Sequence, residues 1–500
     1  MQISPEQSDL LSAFETGRVE GIALAAPRID THISHVFLTA TRAYKLKRAV
    51  ALPFVDFSTR DRRHAACLAE LEVNRRFAGA MYLGVRAVMK QPGGTYRLDG
   101  EEGELSDWLV EMKRFDDGHQ FDTLAAAGKL TPDLIDDTAD MIARAHAGCP
   151  PVPTSGHTAD YRAILRELRK TETHGARELG LLPGEPDILQ VLDRELAHID
   201  PLVEARRRAG KVRRTHGDLH LRNICLFEGR PTPFDALEFD ERLATTDVLY
   251  DLAFLLMDLV RIDSGANANR LMNRYWDMAG EAEAALELLP FFMALRAGVR
   301  MAVGIEAGAV VEADRYRQLA RHLARRAPPV ALAIGGLSGS GKSTIARLVA
   351  PQLPGPAGAR LLRSDVLRKR LQGLAPETRL TGAPAYSAAA RGAVYAHLAD
   401  HAREAYAAGG SVILDATFQD GAARTALEAA GLPLAKLWLD VPRDVRLARV
   451  AARPAGASDA GPDVAGAQEE PAGLGADWQR VDASGTPGDV ARRVLEAIGR

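Results

Sequence analysis

A chain of 500 residues exceeds one ordinary hydrophobic core, so two or three domains are expected. Its 63 basic and 66 acidic residues leave a net charge of −3, and 46% of it is hydrophobic. This is a globular composition that demands neither a nucleic-acid nor a membrane partner. Cys67, Cys149 and Cys225 are too widely spaced for a disulfide framework or a zinc site, which points to a reducing, cytoplasmic setting. The polar, acidic N-terminus lacks a signal-peptide pattern. No apolar run reaches the about 18 residues of a transmembrane helix.

In chain order, residues 31–50 read as two β-runs joined by a polar turn. Residues 60–78 have helical spacing at Cys67, Leu71 and Phe77. "YRLDG" and "LSDWLVEMKRF" read as paired strands, with "VEMKRF" as a connector. Residues 133–147 and 158–210 are helical and charged, and 247–260 and 288–307 are apolar enough for buried helices. The tandem prolines of "RRAPPV" end that pattern. Strands then alternate with helices: "VALAIGG", "GGSVILDATF" and "LPLAKLWLDVP" predict a parallel sheet. Domains of 1–326 and 327–500 are expected. The stretch 454–475, rich in Ala, Gly and Pro, reads as a mobile loop or lid.

"GLSGSGKST", Gly336, Leu337, Ser338, Gly339, Ser340, Gly341, Lys342, Ser343 and Thr344, lies between a β-run and a helical run. Its glycines let backbone N–H groups curl around phosphate oxygens, and the helix that follows adds a positive N-terminus. In that pattern Lys342 reaches the β- and γ-phosphates and Ser343 ligates Mg²⁺. Asp365 and Arg368 lie three apart and suit an acceptor-activating base and a phosphate or acceptor contact. Asp415 ends a strand, where it can hold the metal's water shell. Arg446, Arg449 and Arg453 fall on one helical face directed at the lid, with Arg449 as a phosphate contact.

These residues resemble the small P-loop kinases, among them polynucleotide kinase, gluconate kinase and zeta toxins. The resemblance implies a P-loop NTPase parallel sheet with helices on both faces, with Asp365 as base.

"HGDLHLRN" places Asp218 and Asn223 five apart, and Asp235 follows twelve residues later. A carboxylate near an acceptor hydroxyl, with two oxygen ligands for Mg²⁺, is what phosphoryl transfer needs. The H-G-D form resembles aminoglycoside phosphotransferases and their choline- and sugar-kinase relatives, a protein-kinase-like fold. That resemblance makes Asp218 the base and Asn223 and Asp235 metal ligands. It makes Asp251 a buried brace and "VEMKRF" the hinge that reads adenine. It also calls for a strand lysine and a helical glutamate: Lys47 is preferred over Lys45, and Glu70 over Glu72. "DTHISHVF" departs from the glycine-rich phosphate loop, though Ser34 suits a phosphate contact. His216 is expected to pack against the turn, and His220 has no assigned role. The basic run "EARRRAGKVRR" reads as a solvated helix that leans against a polycationic substrate.

The whole chain resembles bacterial bifunctional fusions of an aminoglycoside phosphotransferase-like domain with a P-loop ATP-binding (AAA family) domain. It implies an ATP- and Mg²⁺-dependent phosphotransferase with two nucleotide sites and a small-molecule hydroxyl acceptor. Nucleic acid is not favoured as a partner. The alternatives are 5′-hydroxyl polynucleotide kinase activity in the C-terminal domain, or a nucleotide-sensing regulator with one inactive domain.

Overall fold

The computed structural model describes residues 5–52, 55–178, 187–378, 380, 387–452, 461–471 and 473–500. The chain forms two compact units, residues 1–160 with 204–255, and residues 161–203 with 256–500.

The first unit is built on a six-stranded antiparallel sheet. Its order is Ile29–Asp30, Ser34–Leu38, Arg42–Lys47, Glu104–Lys113, Tyr82–Lys90, Tyr96–Leu98. The two β-runs of residues 31–50 form as expected. "YRLDG" and "LSDWLVEMKRF" do not pair with each other. Both pair with the Tyr82–Lys90 strand, whose period is broken by a bulge between Tyr82 and Gly84 and is therefore hidden in the sequence.

Alternation along Arg42–Lys47 sends Tyr44 and Leu46 into the core with Phe14, Phe37 and Leu109. It leaves Ala43, Lys45 and Lys47 on the opposite face. Helix Arg60–Ala78 covers that face. Thr59 caps it by accepting from the Arg62 N–H, and Arg75 and Arg76 sit favourably at its C-terminal end. Its buried residues include Arg63, Cys67, Glu70, Leu71, Asn74 and Ala78, a single helical stripe. That stripe aims Glu70 and Asn74, one turn apart, at the same place.

The second unit joins helices to a five-stranded parallel sheet ordered Arg360–Arg363, Val412–Asp415, Ala331–Gly335, Leu434–Asp440, Trp478–Asp482. Leu332, Ile334, Leu361, Ile413, Leu437 and Val481 pack one face against Ile345, Val349, Val490 and Val494. Their alternates Ala333, Leu362, Leu414 and Trp438 are buried as well, so both faces are covered. The strands at 360–363 and 478–482 are edge strands whose short, charged sequences give little apolar signal.

Arg360 fastens this sheet to helices before residue 327. It is 1% exposed and donates to Glu283 at 2.9 Å, Asp277 at 2.6 Å and the Asn273 side chain at 3.0 Å. Asn269 reaches the same edge, donating to the Ala357 and Ala359 carbonyls at 2.7 and 2.9 Å. The segment Glu283–Glu306 is long and apolar enough to cross a membrane, but 78% of its most apolar window is buried inside the protein.

Candidate active sites

Asp218 sits on a turn that only its neighbours make possible. Gly217 has φ +82°, and a Cβ there would lie 2.8 Å from the Ala244 Cβ. Asp251, fully buried in the first turn of helix Val248–Arg261, accepts from the Gly217 N–H at 2.8 Å and the His216 N–H at 3.2 Å. His146 Nε2 lies 3.2 Å from the same carboxylate. Burial holds His216 below its ordinary pKa, and its Nε2 donates to the Phe234 carbonyl at 3.0 Å. His216 therefore packs against the turn.

The Asn223 amide nitrogen donates to Asp218 Oδ2 at 2.9 Å and to the Asp218 carbonyl at 3.0 Å. His220 Nε2 lies 3.4 Å from the same Oδ2, its ring edge-on to Phe254. The Asp218 side chain stays 40% exposed. Strands Ile224–Phe227 and Arg230–Pro233 form the expected hairpin, and the Phe234 N–H closes it onto the Asn223 carbonyl at 2.9 Å. Asn223 and Asp235 thereby flank its open end.

Asp235 has φ +61°, a left-handed backbone that costs a non-glycine residue roughly 1–2 kcal/mol. Tyr82 Oη accepts its N–H at 3.1 Å, and Asn74 Oδ1 accepts the next N–H, of Ala236, at 2.8 Å. Lys45 Nζ donates to Asp235 Oδ1 at 2.6 Å and to Glu70 Oε1 at 2.9 Å. Lys47 is fully buried, with Nζ 2.5 Å from Glu70 Oε2 and bonded to Glu238. Burial opposes ionisation of Glu70, but Lys45 and Lys47 outweigh it and hold its carboxyl at about 2. Burial likewise works against the charge on Lys45, yet Asp235 and Glu70 raise its pKa well above the ordinary value.

The geometry thus gathers Lys45, Glu70 and Asp235 in one contact group and Asp218 with Asn223 in another. Lys47, preferred from the sequence, is enclosed by carboxylates; Lys45 is the lysine joined to Asp235. Glu238 went unnoticed because a third carboxylate in "FDALEFD" carries no spacing signal. Ser34 is completely buried. The Lys113 and Arg114 N–H groups of the expected hinge donate to the Met81 and Thr41 carbonyls.

Apart from the exposed Arg208, the arginines of the basic run are not a solvated face. Arg206 is buried against Asp247 at 2.7 and 2.8 Å, and Arg207 pairs with Glu204 at 2.8 Å. Arg213 caps the end of helix Pro132–Gly148 by donating to the His146, Ala147 and Cys149 carbonyls. Arg214 donates to the Leu237 carbonyl at 2.8 Å. These charges are spent on structure, which removes the argument they gave against a polycationic substrate.

In the second unit the glycine loop leaves the central strand Ala331–Gly335 and enters helix Lys342–Val349. Gly336, Gly339 and Gly341 all have positive φ. A Cβ on Gly339 would lie 2.4 Å from the Arg446 carbonyl oxygen, so that backbone must be bare. Lys342 Nζ donates to the Leu337 carbonyl at 3.0 Å. Ser340 is buried, and its Oγ has no hydrogen-bond partner among the described residues. The Ser338 N–H donates to the Gln468 side-chain oxygen at 2.7 Å.

Asp365 and Arg368 share the short helix Ser364–Arg370, and Asp415 ends the adjacent strand. Between them stands Arg363, which the sequence reading overlooked. It donates to Asp365 Oδ2 at 3.0 Å and lies 3.5 Å from Asp415 Oδ2. Its sequence signal is its place two residues before Asp365; that it is also the register partner of Asp415 is set by the strand pairing.

The expected arginine face divides. Arg446 is buried and donates to the Ser338 carbonyl at 3.1 Å, while Arg449 donates to the Ala483 and Ser484 carbonyls. Arg443 reaches the lid stretch at the Gly466 carbonyl, as do Arg424 at the Gly473 carbonyl and Arg480 at the Glu470 carboxylate. Arg453 and residues 454–460 and 472 lie outside the described residues. Within the described part of that stretch, Pro462–Ala467 is helical.

The donor sets fit Mg²⁺. Asn223 spends its amide nitrogen on Asp218, which leaves its carbonyl oxygen, and Asp235 adds a half-exposed carboxylate. Ser343 and Asp415 offer a hydroxyl and a carboxylate. Hard oxygen donors in small number suit Mg²⁺, which keeps several waters. Among the described residues no group of three or more His, Cys, Asp or Glu gathers as a metal cluster.

Fold and loops together define an enzyme of the ATP-dependent kinase class. The profile of the phosphotransferase enzyme family matches residues 36–288, just over half of the chain, and that of the AAA domain matches residues 332–469. The chain belongs to the phosphotransferase enzyme family. Uncharacterized proteins of Mycobacterium tuberculosis and Mycobacterium bovis are 30% identical over 479 residues, 91% of this chain and 92% of theirs. Among solved structures, a gluconokinase from Sinorhizobium meliloti is 21% identical, covering 35% of this chain and 94% of its own, with a TM-score of 0.26. An amicoumacin kinase in complex with AMP-PNP, Ca²⁺ and Ami is 12% identical, covering 63% and 94%, with a TM-score of 0.39.

Proposed function

We propose that the chain carries two separate Mg²⁺- and ATP-dependent phosphoryl-transfer sites, each acting on a small-molecule hydroxyl in the reducing cytoplasm. The carrying observation is the Glu70–Lys45–Asp235 chain beside Asp218 and Asn223. In this reading Lys45 contacts nucleotide phosphates and Glu70 orients it. Asn223 and Asp235 hold Mg²⁺, which neutralises phosphate charge. Asp218, positioned by Asn223, accepts the acceptor hydroxyl's proton.

In the C-terminal site the Gly336–Thr344 loop and Lys342 cradle phosphate, with Ser343 and Asp415 toward Mg²⁺. Asp365 serves as base, Arg363 holds Asp365 and Asp415 in register, and Arg368 and Arg449 supply positive charge. Catalysis at both sites is positioning plus electrostatic stabilisation. The domains would divide near residue 327, with Arg360 tying the sheet to the preceding helices.

The test is a metabolite screen that follows ATP consumption by the full chain and by Asp218→Ala and Lys342→Ala variants. Each variant is expected to lose the turnover of one site only. If neither changes turnover or ATP binding, the reading fails.

A further inference from the structure

Five buried or half-buried charges form one alternating chain. It runs Asp235–Lys45–Glu70–Lys47–Glu238, with contacts of 2.6, 2.9 and 2.5 Å and a last bond from Lys47 to Glu238. The chain is closed on itself, because Asp235 and Glu238 belong to the same four-residue segment. Both ends of that segment are tied to alternate residues of one strand, Lys45 and Lys47, and the two oxygens of Glu70 join those lysines.

The inner half of this ring does not face a ligand. The side chains of Lys47, Glu70 and Glu238 are 0%, 0% and 4% exposed, whereas Asp235 is 45% exposed. Burying a second ion pair is costly, and an apolar pair of similar volume is often as stable. Stability alone therefore does not account for Lys47 and Glu238. What they do hold is a strained place, since Asp235 keeps its left-handed backbone.

We infer that Lys47 and Glu238 are a positioning pair, which fixes Glu70 between two cations and so sets the direction of Lys45 and of the Asp235 carboxylate toward metal-bound nucleotide. This rests on the reading that the N-terminal site binds Mg·ATP. Without Lys47, Glu70 has one cation left and draws Lys45 inward. Without the Glu238 charge, Lys47 competes with Lys45 for Glu70, and the 235–238 segment loses its second anchor.

The test uses the full chain carrying Lys342→Ala, so that the P-loop site is silenced. Mg·ATP binding is measured by calorimetry and folding by thermal melting. Variants are Glu238→Gln and the double variant Lys47→Met with Glu238→Met. The double variant is expected to melt close to the parent and to bind Mg·ATP at least about tenfold more weakly, with Glu238→Gln weakened in the same direction. A folded double variant that binds Mg·ATP like the parent overturns the inference and leaves the pair a structural one. If the double variant fails to fold, equal binding by Glu238→Gln overturns it. If the Lys342→Ala parent binds no Mg·ATP, the underlying reading falls, and the inference with it.

Discussion

Arg360→Met tests how firmly the parallel sheet is joined to the helices before residue 327. The native guanidinium satisfies Glu283, Asp277 and Asn273 at 2.6–3.0 Å, and Glu283 is fully buried. Methionine fills much of the volume but leaves Glu283 without its strongest cation; His401 Nδ1, 3.4 Å away, is the remaining neighbour. Breaking a buried pair from one side costs about 3–5 kcal/mol. For a unit of about 300 residues, at about 2 cal/mol/K per residue, that is a fall of roughly 5–8 °C in melting temperature.

The pH dependence follows from Glu283. Burial resists its ionisation, but Arg360 outweighs burial and holds the carboxyl below its ordinary value in the native protein. That stability is present above the unfolded pKa of about 4.3 and is lost as pH falls through the depressed folded value. In Arg360→Met, burial instead pushes the folded carboxyl upward. The variant's deficit is therefore largest at neutral pH and shrinks as acid protonates Glu283 in both states. The assay is thermal melting of parent and variant across acid to neutral pH. A neutral-pH shift below about 2 °C, or a deficit that grows on acidification, refutes the reasoning.

Asp251→Ala removes the acceptor of the His216 and Gly217 N–H groups and the partner of His146, at a cost of about 2–5 kcal/mol. Melting should drop and N-terminal turnover, read in a Lys342→Ala background, should fall with it; unchanged turnover would show that the brace is dispensable for Asp218. Gln468→Ala frees the Ser338 N–H, a bond worth about 1 kcal/mol, so ATP should bind the P-loop site up to about fivefold tighter in an Asp218→Ala background. Weaker binding would mean that Gln468 supports the loop rather than competing with phosphate.

Local rules made much of the chain legible. The glycine loop, the strand before it and the helix after it are specified by adjacent residues, because positive φ and an N-terminal helix charge are short-range demands. The turn bearing Asp218, the hairpin after it and helix Arg60–Ala78 were readable for the same reason. Period-2 alternation also put Lys45 and Lys47 on one strand face.

Tertiary packing decided what the charges do. Both lysines fit the pattern equally well, and only the approach of Glu70 from one distant segment and of Asp235 and Glu238 from another separates the lysine at the half-exposed end from the enclosed one. Most arginines of "EARRRAGKVRR" look solvated in isolation, yet Asp247, Glu204 and backbone carbonyls claim Arg206, Arg207, Arg213 and Arg214. Arg360 gives no local sign of its role, since its partners lie about 80 residues upstream. A charge's function depends on how deeply it is desolvated and on which opposite charge meets it there. Both are properties of the folded chain, whereas turns, caps and periodicity are properties of neighbouring residues.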